Sequence, residues 1–413
     1  MVERRFAFDY IRDALNPIVM HLIFSRLTGI VVLLISSVCF PQSLIPYYNE
    51  VAGQVSQANI NQSLSSFVSF GVKYRGTSAQ ANALAWLKSK YQEYGYAASD
   101  IVEDPFTYGG ATCKNLVVTK IGTTYPNTFV IIDGHYDTVG GPGANDNGSG
   151  TAVILEVARL LKNIPTEYSV KFIHFAGEED GLVGSQHYVD NVVNATSPKM
   201  NIRVLVNLDQ VGGVSGEVNN TITCERDQSN SPWTNNAASS ARTTELANCM
   251  ELYSVLETVI SNAYASDYVP FEDNGEIITG LFETNESPYP HGPNDVLSNV
   301  DPVFVYNVAQ GMMGAALHFA VACTDCNLAT QENPADAIRV FPNPAEGMLW
   351  VNKGNFQDCD YALFNVLGQR VASGKLRDSA IVEAIATDRL ERGSYILKIT
   401  SGAVEIEKKI IIK

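Results

Sequence analysis

Histidine and carboxylate residues recur in this chain at positions where side chains can meet. His135 and Asp137 lie in a GHYDT segment, and Asp146 follows in NDNGSG. Glu178 and Glu179 stand in FAGEED, Asp209 in NLDQ and His291 in PHGPND. Together they offer two imidazoles and at least three further carboxylates. Mixed nitrogen and oxygen donors of this kind suit zinc. Five ligands are too many for one tetrahedral zinc with an open position, but they suit two zincs about 3.5–4 Å apart if one carboxylate bridges them. Each acid alone is ordinarily a cap or a solvated charge; the joint pattern carries the information. The spacing His135-x-Asp137 adds a carboxylate that can fix the tautomer of a ligating histidine. Of the other histidines, His21 lies near the N-terminus, while His174, His187 and His318 read as packing residues on a strand and two helices.

The elements around these residues explain how they could converge. Residues 129–132 (FVII) are a short apolar run, expected as a buried strand. Residues 134–150 hold six glycines, one proline and two asparagines, so they form a loop. From Thr151 the period becomes helical, with Val153, Ile154, Val157, Ala158 and Leu161 on one face. Further strands are expected at 115–121, 170–176 and 204–208, with a weaker one at 280–283. Helices are expected at 79–96, 184–193, 245–265 and 302–322. The polar stretch 222–248 reads as an exposed insertion. Strands alternating with helices indicate a mixed, mainly parallel central sheet flanked by helices, an α/β fold. Open sheets of this type place ligands beyond the C-terminal ends of their strands. His135, the Glu178–Glu179 pair, Asp209 and His291 all follow strands, and Asp146 stands at the mouth of the central helix.

Composition bounds the rest. The chain has 413 residues, 46% hydrophobic and 17% charged, which describes a core-forming globular protein. Its net charge of −16 argues against nucleic acid or an anionic membrane surface as a partner. Residues 1–42 read as a leader: residues 27–40 are apolar but shorter than the roughly 20 residues a membrane helix needs. Met20 is an alternative start, and an anchoring helix over 18–40 is the alternative reading. After processing no stable membrane span is expected. Seven cysteines form no dense framework. Cys224 and Cys249 could close a polar loop, and Cys323-x-x-Cys326 has no second pair to complete a zinc site. The composition shifts to a polar linker at 324–336, and residues 337–413 alternate short strands with turns, as in a small β-sandwich.

The motifs GHYDT, NDNGSGTA, FAGEEDGLVGS, NLDQVG and PHGPNDVLSNVD resemble those of the co-catalytic dizinc aminopeptidases of the bacterial leucyl aminopeptidase type, over roughly residues 64–322. That resemblance implies a zinc exopeptidase-like fold over 43–323 with two Zn2+ ions. It implies that His135 and Asp209 bind one zinc, Glu179 and His291 the other, and that Asp146 bridges. Glu178 would be the general base and Asp137 would orient His135. Tyr268 stands where many relatives carry histidine, and Tyr289 is a candidate for the oxyanion-stabilising tyrosine that some members place near the last histidine. In the tail, FPNP, NVLG, LERGSY and the basic end at 408–413 resemble the C-terminal sorting domain of type IX secretion. This implies peptide substrates, engagement with a secretion machinery, and a secreted or outer-membrane-surface location for a monomer. A dizinc carboxypeptidase or dipeptidase, a single-zinc glutaminyl cyclase, and an inactive binding module on the same fold are the alternative readings. An ordinary partner-binding sandwich is the alternative for the tail.

Overall fold

The computed structural model describes residues 42–227, 231–324, 338–353, 359–377, 382–401 and 404–413. The expected leader (except Gln42), the linker (except Thr324) and Cys326 lie outside these residues. Residues 46–413 form one compact unit. Its first part opens with helices α1 (Pro46–Ala52), α2 (Gln57–Ser69) and α3 (Ser78–Glu93). Ser56 and Thr77 cap α2 and α3, each accepting a backbone N–H from inside its helix.

Strands β1 (Ile101–Tyr108), β2 (Ala111–Lys120), β3 (Tyr125–His135), β4 (Tyr168–Phe175), β5 (Asn201–Leu208), β6 (Thr221–Arg226), β7 (Glu257–Asn262) and β8 (Ile278–Glu283) form one sheet in the order β1-β2-β4-β3-β5-β8-β6-β7. Its centre is β3 (Tyr125–His135), flanked in parallel by β4 (Tyr168–Phe175) and β5 (Asn201–Leu208); β8 (Ile278–Glu283) runs parallel to β5. Val130, Ile131 and Ile132 are fully buried on both faces, which is why this strand reads as an unbroken apolar run. One face carries α4 (Gly148–Leu161) and α8 (Pro302–Phe319), which pack on each other. On the other face Ile131, Ile173, Phe175 and Leu205 meet Tyr188 of α5 (Val183–Tyr188) and Phe271 of α7 (Val269–Asp273). Helix α4 begins three residues earlier than its periodicity predicts, because the Asn147 side chain caps it by accepting the Gly150 N–H.

Three elements depart from expectation. β1 (Ile101–Tyr108) pairs antiparallel with β2 (Ala111–Lys120) across Gly109-Gly110, both at positive φ. Its Glu103, Asp104 and Pro105 mark an edge strand and conceal it from a hydrophobicity reading. The stretch 222–248 is not an exposed insertion: β6 (Thr221–Arg226) buries Ile222 and Cys224, and α6 (Asn236–Tyr253) begins well before residue 245. The helix expected to reach 265 ends at Tyr253, and the β-branched run Thr258-Val259-Ile260 forms β7 (Glu257–Asn262), parallel to β6. The Cys224 thiol is free beneath α6, so no Cys224–Cys249 bridge forms.

The C-terminal part is an antiparallel strand region. β11 (Cys359–Asn365), β12 (Arg370–Leu376), β14 (Gly393–Ser401) and β15 (Val404–Ile412) form one set, and β9 (Arg339–Glu346), β10 (Met348–Asn352) and β13 (Val382–Ala386) another. They join at one parallel pair, Ala345 with Ile412. Leu349 and Val351 from one set share a core with Leu363, Leu397 and Ile410 from the other.

Candidate metal centre

Each expected ligand leaves the C-terminal edge of the central sheet. His135 ends β3, Glu178 and Glu179 follow β4, Asp209 follows β5, and His291 sits in the loop after β8. Asp146 closes the glycine-rich loop before α4. Two groups of side chains result, His135–Asp146–Asp209 and Asp146–Glu179–His291. Nε2 of His135 lies 3.2 Å from Asp146 Oδ1 and 3.2 Å from Asp209 Oδ1. Nε2 of His291 lies 3.1 Å from Asp146 Oδ2 and 3.2 Å from Glu179 Oε2. Asp146 thus gives one oxygen to each group. His135, Asp146 and Asp209 are buried, whereas the His291 side chain is 58% exposed, which leaves the site open on that side.

The donor chemistry fits a pair of metal ions. Two ligands each about 2.0–2.1 Å from one tetrahedral zinc stand roughly 3.3 Å apart, close to the spacings above. Nδ1 of His135 faces the Asp137 carbonyl oxygen at 3.1 Å. A carbonyl only accepts, so Nδ1 carries a hydrogen, which leaves Nε2, facing two carboxylate oxygens, as the nitrogen that a metal would use. Glu179 Oε1 is buried without a hydrogen-bond partner. Without a cation these groups must compensate one another. Burial opposes a charge on His135, yet Asp209, Glu178 and Asp146 hold its pKa well above the ordinary value. Burial pushes Glu179 up to about 8, with Asp146 adding to the shift. Burial likewise raises Glu178 well above the usual carboxylate range. The hydrogen bond that His291 donates to Asp146 raises the His291 pKa to about 9. Bound divalent cations would invert this balance and favour the deprotonated forms.

Surrounding groups hold the ligands still. The Asp137 carboxylate accepts the backbone N–H groups of Glu178 and Glu179, both at 3.3 Å, and its Oδ1 is 3.8 Å from His135 Nδ1. It therefore positions the glutamate pair as much as the histidine. Ser266 donates to Asp209 Oδ2 at 2.7 Å. Asp295 accepts the N–H of Asn145 at 2.7 Å and of Asp146 at 3.0 Å. Glu283 accepts from Asn145 Nδ2, Gly213 N and Ser287 N. The peptide bond between Asp146 and Asn147 is cis. Gly140, at φ +71°, lies where a Cβ would stand 2.2 Å from the His291 carbonyl oxygen, so the loop carrying His291 packs directly on this backbone. Buried Lys73 donates to the carbonyls of Gly71 and Pro142, tying the chain after α2 to the same loop.

Asp295, Glu283 and Ser266 also belong to the site, outside the set of residues that the motifs single out. Glu283 ends a strand, so the rule that found Asp209 would also have found it; Asp295 lies inside the PHGPNDVLSNVD motif. Among the described residues the remaining histidines have structural partners. His174 meets Tyr91 OH at 2.9 Å, His318 meets Tyr253 OH at 2.7 Å, and His187 meets Asp104 at 3.2 Å. The centre opens into a cavity of about 840 Å3 that Glu178 also lines, and Tyr289 does not line it.

Comparison with known proteins agrees with this geometry. Residues 115–316 match Peptidase family M28, and residues 339–413 match the secretion system C-terminal sorting domain. The chain is 36% identical over 179 residues to aminopeptidase YwaD of Bacillus subtilis, covering 42% of this chain and 37% of that protein. It is 31% identical over 202 residues to a probable zinc metalloprotease of Pyrenophora tritici-repentis, covering 41% and 44%. The chain thus spans less than half the length of these relatives. The LapA aminopeptidase of Legionella pneumophila shares its fold, with a TM-score of 0.56 and 24% identity over 66% of this chain and 74% of LapA. Residues 115–316 are accordingly a domain of peptidase family M28, and residues 339–413 a secretion system C-terminal sorting domain.

Proposed function

We propose that this chain is an exported, zinc-dependent aminopeptidase that removes N-terminal residues from peptides. The observation that carries the reading is Asp146, whose two oxygens each complete a separate group of metal-ligand side chains. His135 and Asp209 would hold one Zn2+ and Glu179 and His291 the other, with Asp146 shared between them. When bound, the two ions would supply Lewis acidity that polarises a carbonyl and lowers the pKa of water. Glu178 lines the cavity beside ligand Glu179 but belongs to neither ligand group. It takes the proton of the attacking water and delivers it to the leaving amine. Asp137, through the N–H groups of Glu178 and Glu179, fixes where that carboxylate stands.

The peptidase part would span 43–323 and act as a monomer. The tail at 337–413, matching a sorting domain, would engage the secretion machinery and direct export to the outside or the outer-membrane surface. Among the described residues no helix is long and apolar enough to cross a membrane.

Glu178→Gln tests the mechanism. The variant should keep its metal, measured by elemental analysis, while kcat on aminoacyl substrates falls by about 10²–10⁴. Full activity would remove Glu178 from the role of base. Two zincs per chain support the dizinc peptidase, one the glutaminyl cyclase, and none the inactive binding module. Turnover of N-terminally blocked peptides from their C-terminal end would favour the carboxypeptidase reading.

A further inference from the structure

The cavity beside the metal centre extends well past it, along the sheet edge that β6 and β7 add beyond β8. Glu225 on β6 pairs with Gly280 on β8, and Gly280 pairs with Asn207 on β5, two residues before Asp209. Neighbouring strands lie about 4.8 Å apart, so the backbone carrying Glu225 is roughly 10 Å from the strand that delivers Asp209. Glu225 and Thr223 point into the cavity, while Ile222 and Cys224 point into the core beneath α6. Gly280 keeps a slot open in the floor. A Cβ there would stand 2.8 Å from Glu225 Oε2 and 3.3 Å from the Tyr268 ring. Tyr268, the residue that replaces the family's histidine, donates its hydroxyl to Glu225 Oε1 at 3.2 Å and fixes the carboxylate in place.

The charge of this cavity is one-sided. Seven carboxylates line it, with no lysine or arginine among the described residues. Four of them, Asp146, Glu178, Glu179 and Asp209, would carry −4 when deprotonated around two divalent ions, which would balance that charge. Glu283 is held by three N–H donors. Glu225, whose pKa burial raises to about 8, and the exposed Glu286 remain without a cation, and a cationic head beside Glu225 would favour its charged form. The far wall mixes polar Thr223, Ser261 and Asn262 with apolar Val259 and Phe282, and the ring of Tyr264 is 90% exposed at the cavity. Such walls suit a long side chain with an apolar stem and a cationic head better than leucine.

The geometry points to a specificity site for a lysine or arginine at the substrate N-terminus, with Glu225 as the residue that receives its charged head. This rests on the aminopeptidase reading: the α-amino end occupies the metal centre and the side chain runs across β8 to β6. The net charge of −16 would also draw cationic peptides toward the protein.

The test uses the full, zinc-loaded chain with lysyl, arginyl and leucyl p-nitroanilides. The basic substrates should exceed the leucyl one in kcat/KM by about tenfold or more, and Glu225→Gln should lower the lysyl-to-leucyl ratio at least about tenfold. Thr223→Lys places an ammonium in the same cavity without touching the Tyr268 hydrogen bond. It should lower that ratio too, and it serves if Glu225→Gln does not fold. A leucyl rate equal to or above the lysyl rate, or a ratio unchanged in the folded variants, overturns the proposal. Lysinamide and leucinamide titrated onto the zinc-loaded protein read the subsite without turnover. If no aminoacyl substrate is cleaved yet lysinamide binds at least tenfold tighter, and Glu225→Gln removes the difference, the aminopeptidase reading fails and the subsite stands. Equal binding of the two amides refutes the subsite whatever the turnover.

Discussion

Asp295 offers a measure of how much the second layer of residues contributes to metal binding. Its two oxygens accept the backbone N–H groups of Asn145 and Asp146 at 2.7 and 3.0 Å, and it is buried. It touches no expected ligand side chain; it holds the backbone from which the shared ligand hangs. Asp295→Asn keeps the shape but turns one acceptor into an NH2 group facing an N–H donor. One charge-assisted hydrogen bond is lost, worth about 1.5–3 kcal/mol. If that loss falls on the loaded geometry of Asp146, zinc affinity should weaken by about 10–150-fold. The assay is zinc competition against a chromophoric chelator, with circular dichroism on the metal-free protein as a check on folding. A folded variant whose zinc affinity stays within threefold of the parent would refute the reasoning, since the Asp146 backbone would then need no anchor. If metal-free stability falls while affinity holds, Asp295 supports the fold and not the site.

Two further outcomes follow from the same geometry. Gly140→Ala should separate the two ligand groups: its Cβ would collide with the His291 carbonyl, displacing that loop while leaving His135 and Asp209 in place, so elemental analysis should find the zinc content falling from two per chain toward one. Stability should also rise with pH through one buried amine. Burial lowers the pKa of Lys73 to about 7, against the opposing pull of Asp295 and Asp137. The unfolded chain, with an ordinary lysine near 10.4, then binds more protons between those values, and this group makes folding more favourable as pH climbs from about 7 to 10. Raised groups such as Glu179 and His291 act in the opposite sense in the metal-free protein, so the contribution is read as a difference: between pH 7 and 9, urea unfolding of the parent should change more favourably than that of Lys73→Met, and equal pH slopes in the two would contradict it.

The metal centre was legible because the fold turns scattered positions into neighbours by rule. In an open α/β sheet every parallel strand ends on the same edge, so an acid or histidine just past an apolar run is already placed relative to the others. His135, Glu179 and Asp209 could be read that way from strand ends alone. The parts that escaped obey other physics. β1 has too little burial to signal itself, with Glu103, Asp104 and Pro105 in its middle. β6 alternates Thr-Ile-Thr-Cys-Glu-Arg, a period of two that reads as merely polar when only composition is weighed. That error matters for function, because the stretch taken for an exposed insertion carries Glu225.

The misreading of β6 also shows where specificity and catalysis part company in such a sheet. The expected ligands that end or follow β3, β4 and β5 would answer to one metal geometry, so their residue types and spacing would be constrained together and form a recognisable motif. Glu225 answers to no such constraint. Its partners are Tyr268, across a helix start, and the missing side chain of Gly280, and neither is announced by spacing along the chain. A cavity floor made by an absent Cβ appears only when two strands are laid side by side. The sequence order β5–β6–β7–β8 gives no hint that β8 inserts between β5 and β6. The strand crossover that brings Glu225 to the metal centre is therefore a tertiary fact. The residues proposed to choose the substrate become visible only once the sheet order is known.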